Sequence, residues 1–403
     1  MNKKLIITKM ENKILTALYE NDVMTELHCC GQNVQAETIM LGNIYVGKVK
    51  NIVRNINAAF VEIANGIECY YAIDENPSPI FSHKIGKQPL CVGDELLVQV
   101  SKEAVKTKVP TVSSKLNFTG KYAVLTYGDI RIGVSTKLGK ADRERLQKNA
   151  MPFASEEYGF IIRTNAKDVD DAVLEKEIQH LILEYERLKE TAKTRVCFSC
   201  LKSAPKPYLS ELRNIYQEGL TEIVIEDKVI YQEVKEFLAS EQPEDLDKLR
   251  LYEDKTLPLH KLYSIETHVS NTLKSHVWLK SGAYLVIQPT EALTVIDVNT
   301  GKCVNKKKDD EAYLKINLEA AKEAAKQIRL RNLSGIILID FINMDKKESM
   351  DALLDVFEKE LKKDPICTSL IDVTKLQLVE VTRKKVRKPF HEAIREYQQG
   401  GTR

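Results

Sequence analysis

Two short apolar segments that each end in an aspartate constrain this chain more than any other feature. They are Leu293 to Asp297 and Ile336 to Asp340. Apolar or β-branched residues followed by a carboxylate are typical of a strand buried in a parallel sheet. Residues 311–331 between them have the periodicity of a helix, and a strand–helix–strand unit normally makes its two strands parallel. The sequence therefore predicts both carboxylates at one carboxyl edge of an α/β sheet.

Two carboxylates that converge at a sheet edge repel each other unless a cation lies between them. Carboxylate oxygens are the ligands that Mg²⁺ prefers, and a bound Mg²⁺ supports phosphodiester hydrolysis. Asn299 follows Asp297 by two positions and is expected on the same face of the strand, where its amide can orient the carboxylate. The alternative for each aspartate is an ordinary strand-end or helix-cap hydrogen bond, and the residues alone leave both interpretations open.

The composition is that of an ordinary globular protein of two to four domains. Among 403 residues, Lys and Arg number 60 and Asp and Glu 58, so overall charge neither favours nor excludes a nucleic-acid partner. No apolar stretch approaches the roughly 18 residues of a membrane span, and no export signal is recognisable, which predicts a cytoplasmic protein without disulfides. Nor does the chain contain a Walker motif, a G-x-S-x-G or an H-E-x-x-H.

Strand signals dominate the first hundred residues. Residues 3–28 alternate as antiparallel strands, and residues 42–101 carry several short strands with glycine turns, which predicts a small barrel. Tyr45, Phe60 and Tyr70 in this region, with basic residues nearby, suit a face that stacks RNA bases. Packing in the barrel core is the alternative, and spacing does not decide between them.

Long segments of the chain resemble the ribonuclease E/G family. VWLKSGAYLVIQPTEAL (277–293), EALTVIDVNTGK (291–302) and NLEAAKEAAKQIRLRNLSGIILIDFINM (317–344) are similar to its catalytic region. Upstream, GNIYVGKVKNIVRNINAAFVEI (42–63) resembles its RNA-binding barrel, YGFIIRT (158–164) its 5′-end sensor, and LHKLYSIETHV (259–269) the segment before its catalytic domain. The similarity keeps this order over nearly the whole chain.

The resemblance implies a multidomain fold of α+β and α/β parts. Residues 1–38 and 209–272 would form one discontinuous ribonuclease-H-like subdomain. Residues 39–117 would form an OB-fold RNA-binding barrel, residues 118–208 a 5′-sensor domain, and residues 273–403 a DNase-I-like catalytic domain.

The resemblance also implies a magnesium-dependent endoribonuclease. It would cleave single-stranded RNA in rRNA and mRNA processing and decay, and leave 5′-phosphate and 3′-hydroxyl ends. Asp297 and Asp340 would hold Mg²⁺, with Asn299 orienting Asp297. The positions that match the family's RNA contacts are Phe60, Tyr70 and Lys108, and those that match its 5′-phosphate sensor are Gly120, Val124, Arg163 and Thr164.

Two departures from the family pattern affect the expected assembly and specificity. The family places a C-P-x-C zinc-linking segment and a small domain after the catalytic region, and the sequence to Arg403 shows neither. A homodimer stays open, but zinc-linked pairing is not predicted. Cys367 stands where a basic residue near the sensor is expected, which predicts a weaker preference for monophosphorylated ends. The remaining alternatives are a non-catalytic RNA-binding or ribosome-assembly protein and a deoxyribonuclease.

Overall fold

The structure is a computed structural model that describes residues 2–31, 40–104, 109–215, 219–301 and 310–399, with side chains to residue 395. The strands of the described residues are, in chain order, β1 (Lys3–Met10), β2 (Lys13–Glu20), β3 (Val23–Gly31), β4 (Ile44–Val53), β5 (Ala58–Ala64), β6 (Ile67–Ala72), β7 (Phe81–His83), β8 (Glu95–Lys102), β9 (Thr111–Ser113), β10 (Asn117–Thr119), β11 (Ala123–Tyr127), β12 (Ile132–Val134), β13 (Tyr158–Ile162), β14 (Cys200–Lys202), β15 (Leu220–Ile225), β16 (Leu249–Leu251), β17 (His276–Trp278), β18 (Tyr284–Pro289), β19 (Leu293–Asn299), β20 (Gly335–Asp340), β21 (Thr368–Val373) and β22 (Leu378–Arg383). The α-helices are α1 (Lys140–Ala150), α2 (Asp171–Ala192), α3 (Pro207–Asn214), α4 (Lys228–Glu241), α5 (Leu259–Leu262), α6 (Ile265–Leu273), α7 (Asp310–Leu330), α8 (Lys347–Leu361) and α9 (Phe390–Gln399).

The chain divides into two compact units. Unit 1 comprises Met1–Asn33, Glu218–Ala239 and Pro243–Arg403, and unit 2 comprises Val34–Gln217 with Ser240–Gln242. Both units are mixtures of α and β structure, as predicted. The finer division into four family-type domains stays a prediction.

The first sheet of unit 1 has the strand order β16-β15-β1-β2-β3. Its β1, β2 and β3 pair antiparallel, which confirms the alternation seen at residues 3–28. Asn21 and Asp22 turn the chain between β2 and β3 with positive φ angles of 49° and 63°, a conformation that Asn and Asp tolerate in tight hairpins. Strand β1 also pairs in parallel with β15, so this sheet combines strands that are distant in sequence.

The second sheet of unit 1 has the strand order β17-β18-β19-β20-β22-β21. Strands β19 and β20 are parallel neighbours joined through α7, as the two aspartate-ended segments predicted. One face of the sheet packs on α7 and α8, and the α7 residues buried there are mainly Ala320, Ala321, Ala324 and Ile328. Small alanine side chains let the helix lie close to the strands, so this face is the core and the other face is left open.

Unit 2 contains a closed barrel and a smaller sheet. Strands β4, β5, β6, β9 and β8 follow one another, and a pairing between β4 and β8 closes the ring, which confirms the predicted barrel. The second sheet has the order β10-β11-β13-β12 and packs on α2 through Leu174, Ile178 and Leu181. No helix in the described ranges of either unit is long and apolar enough to cross a membrane.

Candidate active site

Strand β19 separates buried apolar residues from polar ones by simple alternation. Ile296 and Val298 are buried against the helices, whereas Asp297 and Asn299 lie on the opposite, partly exposed face. Strand β20 does the same, with Ile339 in the core and Asp340 exposed. Since side chains alternate along a strand, the apolar residues that build the core also fix the carboxylates on the open face.

The two aspartates are directly paired in register across the parallel strands β19 and β20. Neighbouring strands lie about 4.8 Å apart, so the two side chains leave adjacent points of one face. Desolvation, and secondly the negative charge of Asp297, raise the pKa of Asp340. Asn299 donates a hydrogen bond from Nδ2 to Oδ2 of Asp297 at 2.7 Å, as the two-residue spacing predicted.

Backbone contacts hold both strand ends in place. Asn317 on α7 is fully buried, donates from Nδ2 to the carbonyl oxygen of Ile342 at 2.8 Å, and accepts from its N–H at 3.0 Å. These two hydrogen bonds fix the backbone just after Asp340. At the end of β19, Gly301 has a φ of +59°, and a Cβ there would lie 2.4 Å from the carbonyl oxygen of Gly282. A glycine is therefore required for β19 to finish this close to the β17–β18 turn.

The donor set fits a hard divalent cation. Two facing carboxylates, one of them with a pKa raised first by burial and then by the other's charge, form a site that a cation would stabilise. Within the described part of the chain, no group of three or more His, Cys, Asp and Glu side chains is arranged to hold a metal. Mg²⁺ commonly binds through one or two carboxylates and completes its shell with water and substrate oxygens, so two aspartates suffice.

The predicted sensor residues lie together in unit 2. Arg163 donates from Nη1 to the carbonyl oxygen of Gly120 and from Nη2 to Oδ1 of Asn214, both at 2.7 Å. Thr164 shares a hydrogen bond of 2.9 Å with Ser135, and Val124 on β11 pairs in register with β13, which ends directly before Arg163. The guanidinium of Arg163 thus already has protein acceptors.

Two further charged residues adjoin this group, and sequence reasoning missed both. The Glu177 carboxylate on α2 accepts hydrogen bonds from the backbone N–H groups of Lys121, Tyr122 and Ala123 at 2.7 to 3.1 Å. Burial raises the pKa of Glu177, although these three contacts oppose that rise. Gly120 is needed here, because a Cβ would lie 2.4 Å from Oε1 of Glu177.

Arg213 on α3 is the other missed residue. Burial, and secondly the charge of Arg213, lower the pKa of Arg163 to about 10, and burial also lowers the pKa of Arg213. The Nε atom of Arg213 is buried and has no hydrogen-bond partner in the described chain. We call Gly120, Arg163, Thr164, Glu177 and Arg213 the sensor cluster. No local motif marks Glu177 or Arg213, because both join it through long-range packing.

The barrel separates its aromatic residues by face. Tyr45 is buried in the barrel core, so its predicted place on a stacking face is wrong. Phe60 and Tyr70 are half-buried cross-strand partners on β5 and β6, and their ring centroids are 6.4 Å apart in an edge-to-face arrangement. They form a small aromatic surface outside the core, in keeping with the stacking interpretation. Lys108, the third predicted RNA contact, lies outside the described residues.

Two cysteine features have a plain structural description. Cys367 is exposed in unit 1, and its effect on the sensor stays a prediction. Burial raises the pKa of Cys197 to about 11, so its thiol is a poor thiolate donor for metal or redox chemistry. Cys197 is half-buried and Cys200 is exposed, so the pair is not packed in a core.

Comparison with known proteins places this arrangement in a family. The family model described as Ribonuclease E/G family matches residues 117–386. Ribonuclease G of Haemophilus influenzae is 32% identical over 402 residues, which cover 97% of this chain and 81% of that protein. Ribonuclease G of Escherichia coli K12 is 30% identical, over 98% of this chain and 82% of that protein. Ribonuclease E of Synechocystis is also 30% identical, over 96% of this chain and 57% of that protein. With this coverage and a parallel aspartate pair inside the matched region, the chain belongs to the ribonuclease E/G family.

Proposed function

We propose that this protein is a magnesium-dependent endoribonuclease that cleaves single-stranded RNA at the Asp297–Asp340 pair. The family assignment makes it an endoribonuclease, with RNA as its substrate. The observation that carries the finer proposal is the register of β19 and β20, which sets the two carboxylates opposite each other on an open face.

The residues of this face have separable roles in the proposal. Asp297 and Asp340 would hold Mg²⁺, which when bound supplies an activated water and stabilises charge at the phosphate. Asn299 holds Oδ2 of Asp297 by its amide, and Oδ1, which has no hydrogen-bond partner among the described residues, would bind the ligand. Hydrolysis of the P–O3′ bond by water would give 5′-phosphate and 3′-hydroxyl products.

The remaining predicted sites are proposed as contacts that position the RNA. Phe60, Tyr70 and Lys108 would grip single-stranded bases and backbone, and Gly120, Val124, Arg163 and Thr164 would meet a 5′-monophosphate. Processing and decay of rRNA and mRNA in the cytoplasm is the cellular role that this activity would serve. Homodimerisation is left to direct measurement by light scattering.

The test is cleavage of a short labelled single-stranded RNA by purified protein in Mg²⁺ and in EDTA. We expect Asp297→Asn to bind RNA like the wild type and to lose on the order of a thousandfold or more in cleavage, because a magnesium ligand is worth several kcal/mol in the transition state. Asp351→Asn removes an exposed carboxylate on α8, beyond the buried face of the sheet, and should cleave normally. Full activity of Asp297→Asn in clean protein, or undiminished cleavage in EDTA, contradicts the proposal, and cleavage of matching DNA would argue for a deoxyribonuclease.

A further inference from the structure

The open face of the second sheet continues from the carboxylates onto an aromatic cluster, which consists of His276, Trp278 and Tyr284. Tyr284 is the register partner of Asn299 on one side and of Trp278 on the other. Cross-strand partners project from the same face, so the cluster shares the face of Asp297 and Asp340. The ring centroid of Tyr284 is 5.0 Å from that of Trp278 and 5.7 Å from that of His276.

Trp278 is unusually open for such a large apolar side chain. It is 67% exposed, whereas its neighbour Val277 packs against the core of the same sheet. Strand alternation would have permitted a polar residue at position 278, since positions on this side need not fill the core. It is also the only tryptophan in the chain. An exposed aromatic surface next to reactive groups indicates a binding role.

We propose that the aromatic cluster stacks RNA bases beside the cleaved bond and that Trp278 is its main platform. This inference rests on the proposed function of the Asp297–Asp340 pair. Two strand spacings place Trp278 about 10 Å from Asn299, within reach of nucleotides next to the scissile phosphate. Aromatic rings accept any base by its face, so the cluster contributes affinity without reading sequence.

Stacking on this cluster also selects for unpaired RNA. A base must leave its own stack to lie on Tyr284 or Trp278, and single strands do so far more readily than a duplex. The open face therefore combines hydrolysis at one end with recognition of single-strandedness at the other.

RNA fits this surface better than a protein partner does. The aromatic cluster is continuous with the Asp297–Asp340 site, because Tyr284 and Asn299 are direct register partners on β18 and β19. A protein seated on Trp278 and Tyr284 would also cover Asn299 and obstruct the substrate. A bound RNA strand can instead contact the aromatic cluster and the Asp297–Asp340 pair at the same time.

Kinetics on a short single-stranded RNA test the contribution of Trp278. We expect Trp278→Ala to raise KM on the order of tenfold with kcat nearly unchanged, the loss that removal of one stacking platform produces. Trp278→Phe keeps an aromatic face and should stay within a few-fold of the wild type. Val229→Ala is a matched control, because Val229 is an apolar side chain of unit 1 that is 64% exposed on α4. An unchanged KM in Trp278→Ala overturns the inference.

Fluorescence of the single tryptophan separates stacking from cleavage. In the Asp297→Asn protein, single-stranded RNA should quench Trp278, whereas an abasic ribose-phosphate oligomer of equal length should quench it much less. Equal quenching by both oligomers contradicts base stacking. If Asp297→Asn still cleaves RNA, the carboxylate assignment fails while the quenching result stands, so the two proposals fail separately.

Discussion

The carboxylate pair in unit 1 and Arg163 of the sensor cluster in unit 2 differ in how far protein hydrogen bonds satisfy their charges. Asp297 and Asp340 face each other on an open surface, and the hydrogen bond from Asn299 satisfies only part of the pair. Arg163, in contrast, has its guanidinium engaged by the Gly120 carbonyl and by Asn214. Among the described residues, the carboxylate pair thus has one protein hydrogen bond between its two charges, whereas the guanidinium of Arg163 has two protein acceptors.

The difference indicates which region depends more on a ligand. A like-charged pair gains from a bound cation, because the cation removes repulsion that the protein leaves uncompensated. A ligand of Arg163 must instead replace hydrogen bonds that already exist, so its net contribution is small. Substitutions should therefore have large effects on the open face and modest ones in the sensor cluster.

The largest expected effect comes from removing both carboxylates. Asp297→Asn and Asp340→Asn should each lose on the order of a thousandfold in kcat/KM, and the double variant should lose little more, since both groups serve one ion. The residual rates can be measured in long cleavage assays, with the rate in EDTA subtracted as background. A double-variant loss equal to the product of the single losses would show that the carboxylates act independently.

The next largest effect is expected from Asn299→Ala. Loss of the amide that holds Oδ2 of Asp297 should lower activity about 10- to 100-fold and raise the magnesium concentration required, as for other groups that orient a metal ligand. Magnesium titrations of the cleavage rate provide the measurement. Asn271→Ala, an exposed amide on α6, is the control, and an unaltered magnesium requirement would mean that Asn299 does not orient the site.

A smaller effect is expected for Arg163→Ala. The rate on 5′-monophosphorylated RNA should fall, about tenfold, to the rate on 5′-hydroxyl RNA, because a phosphate contact that replaces existing hydrogen bonds of Arg163 is worth only about 1.4 kcal/mol. Paired cleavage assays on the two RNAs measure the preference. Arg131→Ala removes an exposed arginine paired with Asp129 and should leave the preference intact. A wild type without any preference would instead mean that the weakening predicted from Cys367 extends to a complete loss of sensing.

The smallest effect is expected on stability, from Gly120→Ala. The added methyl group must displace the Glu177 carboxylate and weaken its three backbone hydrogen bonds, at a cost of about 1–3 kcal/mol. Thermal melting should show this as a decrease of a few degrees. Gly139→Ala provides the comparison, since Gly139 has a negative φ and its nearest neighbour would be 3.7 Å away. Equal melting temperatures of the two variants would mean that the Glu177 hydrogen bonds do not stabilise residues 121–123.

Local patterns were sufficient to predict the elements that carry the open face. Apolar segments of strand length, separated by a helical segment, predicted the parallel arrangement of β19 and β20. Alternation predicted that Asn299 shares a face with Asp297. The turn at Asn21 and Asp22 likewise depends on a local property, the conformational tolerance of those residues.

Contacts between distant segments could not be predicted in this way. Glu177 on α2 and Arg213 on α3 are distant from Arg163 in sequence and come close to it only in the folded chain. Strand alternation in the barrel left Phe60 and Tyr45 as equal candidates for the core, and barrel closure buried Tyr45 while Phe60 stayed half-exposed. The aromatic cluster likewise depends on how β17 registers with β18.

The sequence by itself determined the strands, the helix between them and the face on which each polar residue lies, because side-chain period and backbone propensity act within a few residues. Only the tertiary structure decided that Asp297 stands opposite Asp340, that Trp278 extends the same surface, and that Arg163 is already bound by its own protein. Register and packing are set by the fit of apolar surfaces from distant segments, and no short stretch of sequence contains that information.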